Sequence, residues 1–346
     1  VQAEDELAAI GMAIGANWNG ARGFTATSGP GISLMSEFLG LAYFAEIPLV
    51  LFNVQRGGPS TGMPTRTQQS DVLACAYASH GDTKHVVLFP SDPKECFDFS
   101  AQAFDLADQL QTPIFVVSDL DMGMNDWVCD KFKWDDEYKY NRGKVLNKDD
   151  LDEIENFGRY LDVDNDGICY RTYPGTHPEK GAFFTRGTSH DEYARYTEDG
   201  EVNAATLSRL MKKFRTASEL VPKPVIEING EDSCGVIFYG STSPAVHEAK
   251  DILKDKEINI DLMQIRSFPF NLDVWEFIAN HDRIYVVEQN RDSQMRTLIM
   301  AEGGISPEIL RPLVHFTGDP IQASYIVNKI SEREVNYKSH INAKKR

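Results

Sequence analysis

Residues 23–71 read GFTATSGPGISLMSEFLGLAYFAEIPLVLFNVQRGGPSTGMPTRTQQSD. The order is strand, tight glycine turn, helix, buried strand, then a long polar loop opening with Arg56. The second strand, LVLFNV, is apolar on both faces apart from Asn53, as a central parallel strand requires. The loop after it is rich in Gly, Pro, Thr and Gln. Two apolar strands that each end in a glycine-rich loop are expected to be neighbours in a parallel sheet. In such sheets ligands bind beyond the carboxyl ends of the strands, so the stretch reads as the wall of an active site.

The flanks extend the pattern. Residues 70–79 predict a helix and HVVLFP (85–90) a strand. Ser91-Asp92-Pro93-Lys94-Glu95 caps a helix running to about Leu110, and TPIFVVSDLDMG (112–123) is a further buried strand. This βαβαβαβ order predicts an α/β, doubly wound parallel sheet. Upstream, EDELAAIGMAIGA (4–16) sets Leu7, Ile10, Ala13 and Ile14 at helical spacing. It opens without an evident cap or preceding strand, and an N-terminal part is expected to be missing or to lie on another polypeptide.

Three features of the wall carry chemistry. Glu6 stands beside the apolar stripe of the first helix; taken alone, it reads as a first-turn glutamate favoured by the helix dipole. Ser28-Gly29-Pro30-Gly31 opens a helix with Pro30 in its first turn. Amides at such a start suit an anion, although a plain turn fits equally and the spacing is not that of a P-loop. Arg56, at the carboxyl end of a strand, suits a two-pronged grip on a carboxylate, or reads as a solvated loop arginine.

Beyond residue 125 the composition turns to Asp, Glu, Tyr and Arg, and residues 126–224 read as an irregular linker. DVDNDGICY (162–170) imitates a calcium loop, but its twelfth position is Tyr173 rather than Glu. His190-Asp191 reads as a solvated pair rather than an acid/base pair. Residues 225–333 repeat strands and helices as a second α/β unit without a dinucleotide fingerprint, and residues 334–346 form a basic tail expected to fray.

Lysine and arginine number 35 against 52 acidic residues, a net charge of −17. That balance disfavours nucleic acid, anionic membrane and direct docking of an acidic partner. The five cysteines (75, 96, 129, 169 and 234) form no CxxC pair, so no iron–sulfur or zinc site is expected in this chain. Free thiols fit a reducing cytoplasm, and the longest apolar run (41–54) is too short to span a bilayer.

EDELAAIGMAIGA, GFTATSGPGISLMSE, PLVLFNVQRGGPSTGMPTRTQQSD and DGICYRTYPGT together resemble the α subunit of 2-oxoacid:ferredoxin oxidoreductases, in the 2-oxoglutarate branch. The resemblance covers essentially the whole chain. It implies a thiamine diphosphate enzyme with a pyrimidine-binding domain at 1–125 and a transketolase C-terminal-like domain at 225–333. It implies that Glu6 hydrogen-bonds the aminopyrimidine, alongside the Ser28-Gly29 turn, and that Arg56 lies at the substrate carboxylate. Burial disfavours a charged carboxyl, so a glutamate in that place can share a proton with the ring.

The family's Tyr-Pro-Ile-Thr-Pro motif is absent. The resemblance further implies coenzyme A as cosubstrate, with Arg171 or Arg186 as conceivable contacts. It puts magnesium, the diphosphate and an iron–sulfur cluster on a partner β subunit, which also meets ferredoxin, in a dimer of heterodimers. No metal site is expected in this chain. Arg66 is a guess for a distal substrate carboxylate. Pyruvate, branched-chain or aryl acids, or a non-catalytic scaffold role, are the alternatives.

Overall fold

The computed structural model describes residues 1–181, 185–230 and 233–344. Elements in chain order are α1 (Glu6–Trp18), β1 (Phe24–Thr27), α2 (Gly29–Leu34), α3 (Ser36–Phe44), β2 (Leu49–Gln55), α4 (Val72–Ala76), β3 (Val86–Leu88), α5 (Pro93–Leu110), β4 (Pro113–Asp119) and α6 (Leu120–Met124). They continue with α7 (Lys148–Glu153), α8 (Gly200–Leu220), β5 (Val225–Glu227), β6 (Cys234–Phe238), α9 (Ser243–Asp255), β7 (Ile260–Gln264) and β8 (Ser267–Phe268). The last are α10 (Leu272–Ala279), β9 (Ile284–Glu288), α11 (Gln294–Gly303), β10 (Leu310–Val314) and α12 (Ala323–Lys344).

The first sheet has the order β1-β2-β4-β3-β8. β1 and β2 are parallel neighbours, with Thr27 opposite Asn53, as the glycine-loop argument expects. Alternation along β2 explains the two layers. Leu49 and Leu51 face a core shared with α1 and α3, while Val50 faces a second core with α5 and Ala217 of α8. The second sheet, β10-β9-β6-β7-β5, is parallel except at β5. The two sheets are fused. The first core runs on into Ile237, Met263 and Val286 of the second sheet, and β8 pairs antiparallel with β3.

Several local expectations change. α1 is capped after all: Asp5 Oδ1 accepts from the Ala8 amide at 2.8 Å. The helix after the glycine turn is two helices that break at Met35. Residues 126–224 contain one long helix, α8, capped by Asp199. The described part of the tail continues α12, which is helical through Lys344; residues 345–346 lie outside the described residues, as do residues 182–184 of the loop segment.

α8 is tied to the first sheet by a buried ion cluster. Glu46, 1% exposed, accepts from Arg209 at 2.5 Å and Lys213 at 2.7 Å, and Arg159 donates to its carbonyl at 2.8 Å. Burial alone would raise the Glu46 carboxyl, but Arg209 and Lys213 outweigh it and hold it well below the usual range. Removing one partner of such a cluster leaves an uncompensated buried charge. Glu46→Gln is therefore expected to cost about 3–5 kcal/mol of stability, measured by denaturant unfolding. The depressed carboxyl contributes its stability above its unfolded value, about pH 4.3, and loses it as the pH falls through the lower folded value. The variant should lack that acid-side loss. An unchanged unfolding midpoint would make the cluster energetically idle.

Candidate active site

The site is built where β1 and β2 end. Register lines up Thr27 with Asn53, and Gln55 with Asp119 on β4. Gly31, in α2, lies hard against both Thr27 and α1. A Cβ there would sit 1.8 Å from Thr27 Oγ1 and 3.0 Å from Glu6 Cγ. The glycine turn thus does more than open a helix: it lets Glu6 close on the strand end. Glu6 is half-buried. Its carboxyl has no hydrogen bond or ion pair to any described residue. It also lines an open groove of about 650 Å³ along α1 and the outer edge of β1, with Ala9, Met12, Arg22 and Thr25. Full burial of Glu6, expected from the sequence, is not reached within this chain alone.

On the other side of the turn stands Asp71. A Cβ on Gly29 would meet its Oδ1 at 2.9 Å, and Asn53 Nδ2 donates to its Oδ2 at 3.1 Å. Burial raises the Asp71 carboxyl, and the Asn53 bond and the Arg56 charge only partly offset this. Ser28 is the N-cap of α2, with no side-chain bond to the helix. Arg56 follows β2. It is half-buried, its Nε is shut off from solvent with no partner, and no described residue bonds or ion-pairs with it.

The structure therefore brings Glu6, Ser28, Gly29 and Arg56 to one end of two adjacent strands. A carboxylic acid and a guanidinium, both unpaired beside buried polar groups, can hold a proton and an anion there. Sequence reasoning passed over Asn53 and Asp71 as site residues. Asn53 had a signal, being the one polar residue of the apolar run LVLFNV (49–54).

Other candidates are spent elsewhere. Arg66 is ion-paired to Asp319 at 2.7 Å. Arg171 is buried against Asp108 at 2.7 Å, out of reach of a large surface cosubstrate, and Arg186 donates to the Ala194 carbonyl. The calcium-like loop is filled from within: Lys144 Nζ sits 2.7 Å from Asp164 and 2.9 Å from Asp166. His190 is not solvated but buried against the Tyr160 ring, with centroids 3.9 Å apart. Its neighbour Asp191 caps a turn, accepting from the Tyr193 and Arg195 amides. Among the described residues no group of three or more His, Cys, Asp or Glu side chains is placed to hold a metal, and no helix is long and apolar enough to cross a membrane.

Comparison with known proteins fits this geometry. The family model described as "Pyruvate flavodoxin/ferredoxin oxidoreductase, thiamine diP-bdg" matches residues 1–130. The α subunit of 2-oxoacid:ferredoxin oxidoreductase 2 from Aeropyrum pernix is 34% identical over 337 residues, covering 95% of this chain and 51% of that one. The chain thus spans about half the length of that relative. The 2-oxoglutarate synthase subunit KorA of Methanothermobacter thermautotrophicus is 32% identical over 326 residues, covering 91% of this chain and 81% of its own length.

Among solved structures, the 2-oxoglutarate:ferredoxin oxidoreductase of Magnetococcus marinus, with 2-oxoglutarate, coenzyme A and succinyl-CoA bound, superposes with a TM-score of 0.86 at 29% identity over 96% of this chain and 56% of that one. A split-gene transketolase matches with a TM-score of 0.50 at 11% identity, covering 93% of this chain and 79% of that one, a likeness of fold alone. With these likenesses beside the unpaired glutamate and arginine at the strand ends, the chain belongs to the α-subunit family of 2-oxoacid:ferredoxin oxidoreductases, together with the KorA subunits of 2-oxoglutarate synthases.

Proposed function

We propose that the chain is the α subunit of a 2-oxoglutarate:ferredoxin oxidoreductase, which converts the 2-oxo acid, with coenzyme A, to its acyl-CoA and passes the electrons to ferredoxin. The observation that carries this reading is the pair of unpaired groups, Glu6 and Arg56, at the ends of adjacent parallel strands. The residues present fit the pyrimidine half of thiamine diphosphate: a carboxyl free of partners stands over a glycine cradle that any side chain would fill. When bound, that cofactor supplies a carbanion and an electron sink for decarboxylation.

Glu6 holds a proton against the ring nitrogen N1′ and exchanges it as charge develops. It needs the cover of a second protein surface over its groove to lose water and do so efficiently. Arg56 grips the substrate carboxylate in a fork and orients the keto carbon. Asn53 bonds to Asp71, whose carboxyl stands against Gly29 of the turn.

In this reading residues 1–125 are the pyrimidine-binding domain, 126–224 the linker, 225–333 the transketolase C-terminal-like domain and 334–346 the tail. A β subunit carries the diphosphate, magnesium and the iron–sulfur cluster, since the cysteines of this chain are scattered and free. Ferredoxin docks through that subunit, because a net charge of −17 repels an acidic partner. The assembly is a cytoplasmic dimer of heterodimers.

The test is viologen-coupled turnover by the assembled enzyme, supplied with thiamine diphosphate, coenzyme A and a panel of 2-oxo acids. Turnover is expected with 2-oxoglutarate over pyruvate and branched-chain acids, and Glu6→Gln should lower it by about 10²–10⁴-fold with assembly intact. Equal turnover in the variant removes Glu6 from the mechanism, and preference for another acid replaces the substrate.

A further inference from the structure

Arg56 has no hydrogen bond or ion pair to a described residue holding its side chain, although its charge acts on Asp71. Its guanidinium meets no described partner, so its aim is set by the backbone of residues 56–57. On one side that backbone continues β2, whose Gln55 pairs with Asp119 of β4; on the other it is tied within its own loop. The Gly57 amide donates to the Arg66 carbonyl at 2.9 Å, and the Met63 amide to the Gly57 carbonyl at 2.7 Å.

The fixing residue is Gln69, 0% exposed, which faces the second sheet. Its amide donates to the Gln289 carbonyl at 2.8 Å. Its carbonyl accepts from Asn290 Nδ2 at 2.9 Å and from the Tyr239 hydroxyl at 3.4 Å. Its Nε2 donates to the Tyr239 carbonyl at 3.2 Å and to Asp119 Oδ2 at 3.4 Å. Its Oε1 accepts from Thr242 Oγ1 at 3.2 Å and the Gln289 amide at 3.1 Å. Every polar atom of the residue is thus used, and most partners belong to the second sheet's strand ends. The same side holds Arg66 through Asp319 at 2.7 Å. Met63 presses on Gly318, where a Cβ would meet its Cε at 2.7 Å.

We propose that Gln69 is a positioning residue for substrate binding: through it the second α/β unit clamps the 56–70 loop and so sets the Arg56 guanidinium toward the substrate carboxylate. The inference rests on Arg56 being the carboxylate grip. The second unit thereby acquires a part in substrate binding although none of its side chains bonds to Glu6 or Arg56.

The experiment is a double-mutant cycle in the assembled enzyme, with steady-state kinetics for the 2-oxo acid and for coenzyme A, and with thiamine diphosphate affinity measured by fluorescence quenching. Gln69→Met keeps the volume and removes the amide. It is expected to raise KM for the 2-oxo acid about tenfold, the cost of leaving buried partners unsatisfied and the loop loose. kcat, the coenzyme A KM and cofactor affinity should stay within about threefold. Thr242→Val, a milder cut at the same Oε1, should shift the 2-oxo acid KM in the same direction and keeps the test open if Gln69→Met does not assemble.

The deciding reading is coupling. Because Gln69 acts through Arg56, Gln69→Met added to Arg56→Ala should raise KM no further. If Arg56→Ala raises KM and the Gln69→Met effect adds to it in full, Gln69 is merely structural and the inference fails. If Arg56→Ala leaves KM unchanged, the carboxylate assignment itself fails.

Discussion

The parallel pairing of β1 with β2 is the constraint on which the rest depends. Parallel strands put their carboxyl ends, and the loops that follow them, on one side of the sheet. Because Thr27 stands opposite Asn53, the SGPG turn and the Arg56 loop are neighbours. α1 packs on the same sheet through Ile10, Ala13 and Ile14, which delivers Glu6 to that turn. Gly31 is the steric condition for this approach, since any side chain there would collide with Thr27. One pairing thus collects a carboxyl, a guanidinium, the buried Asn53 and the half-buried Asp71 from three separate segments.

The surroundings of this pairing divide into two kinds of buried polar contact. The Glu46 cluster is ionic and holds α8 to the far end of β2, away from the candidate site. The Gln69 network is built of amides, hydroxyls and the Asp119 carboxyl, and it lies at the active end of both sheets. Burial, with the nearby Asp121 charge, lifts Asp119 above its usual range against its bond from Ser241. The two sheets share one apolar core, so the second unit is part of the site's foundation rather than an appendage.

Much of this was legible in the sequence where the signals are local. Asp92 and Glu95 announce α5, and the structure gives the reciprocal bonds, with Glu95 N donating to Asp92 at 2.7 Å and Ser91 N to Glu95 at 2.9 Å. The apolar run of β2 and the glycine loops gave the parallel pair. α8 was hidden by its polar composition, although Leu210, Phe214 and Ala217 recur at helical spacing and all are buried. His190 misled because a pair adjacent in sequence says nothing about burial. Gln69 could not be read at all: its partners Tyr239 and Asn290 lie 170 and 221 residues away, and a glutamine in a polar loop has no periodicity to betray it.

In the function proposed, Glu6 moves a proton at a cofactor shared with a second subunit. The most direct test is the rate of deuterium exchange at C2 of thiamine diphosphate bound to the assembled enzyme, followed by quench-flow and proton NMR with no 2-oxo acid present. Exchange is expected to be far faster than in the free cofactor, and to fall toward the free rate when Glu6 is replaced by Gln with the cofactor still bound. Fast exchange that survives the replacement would contradict this role of Glu6.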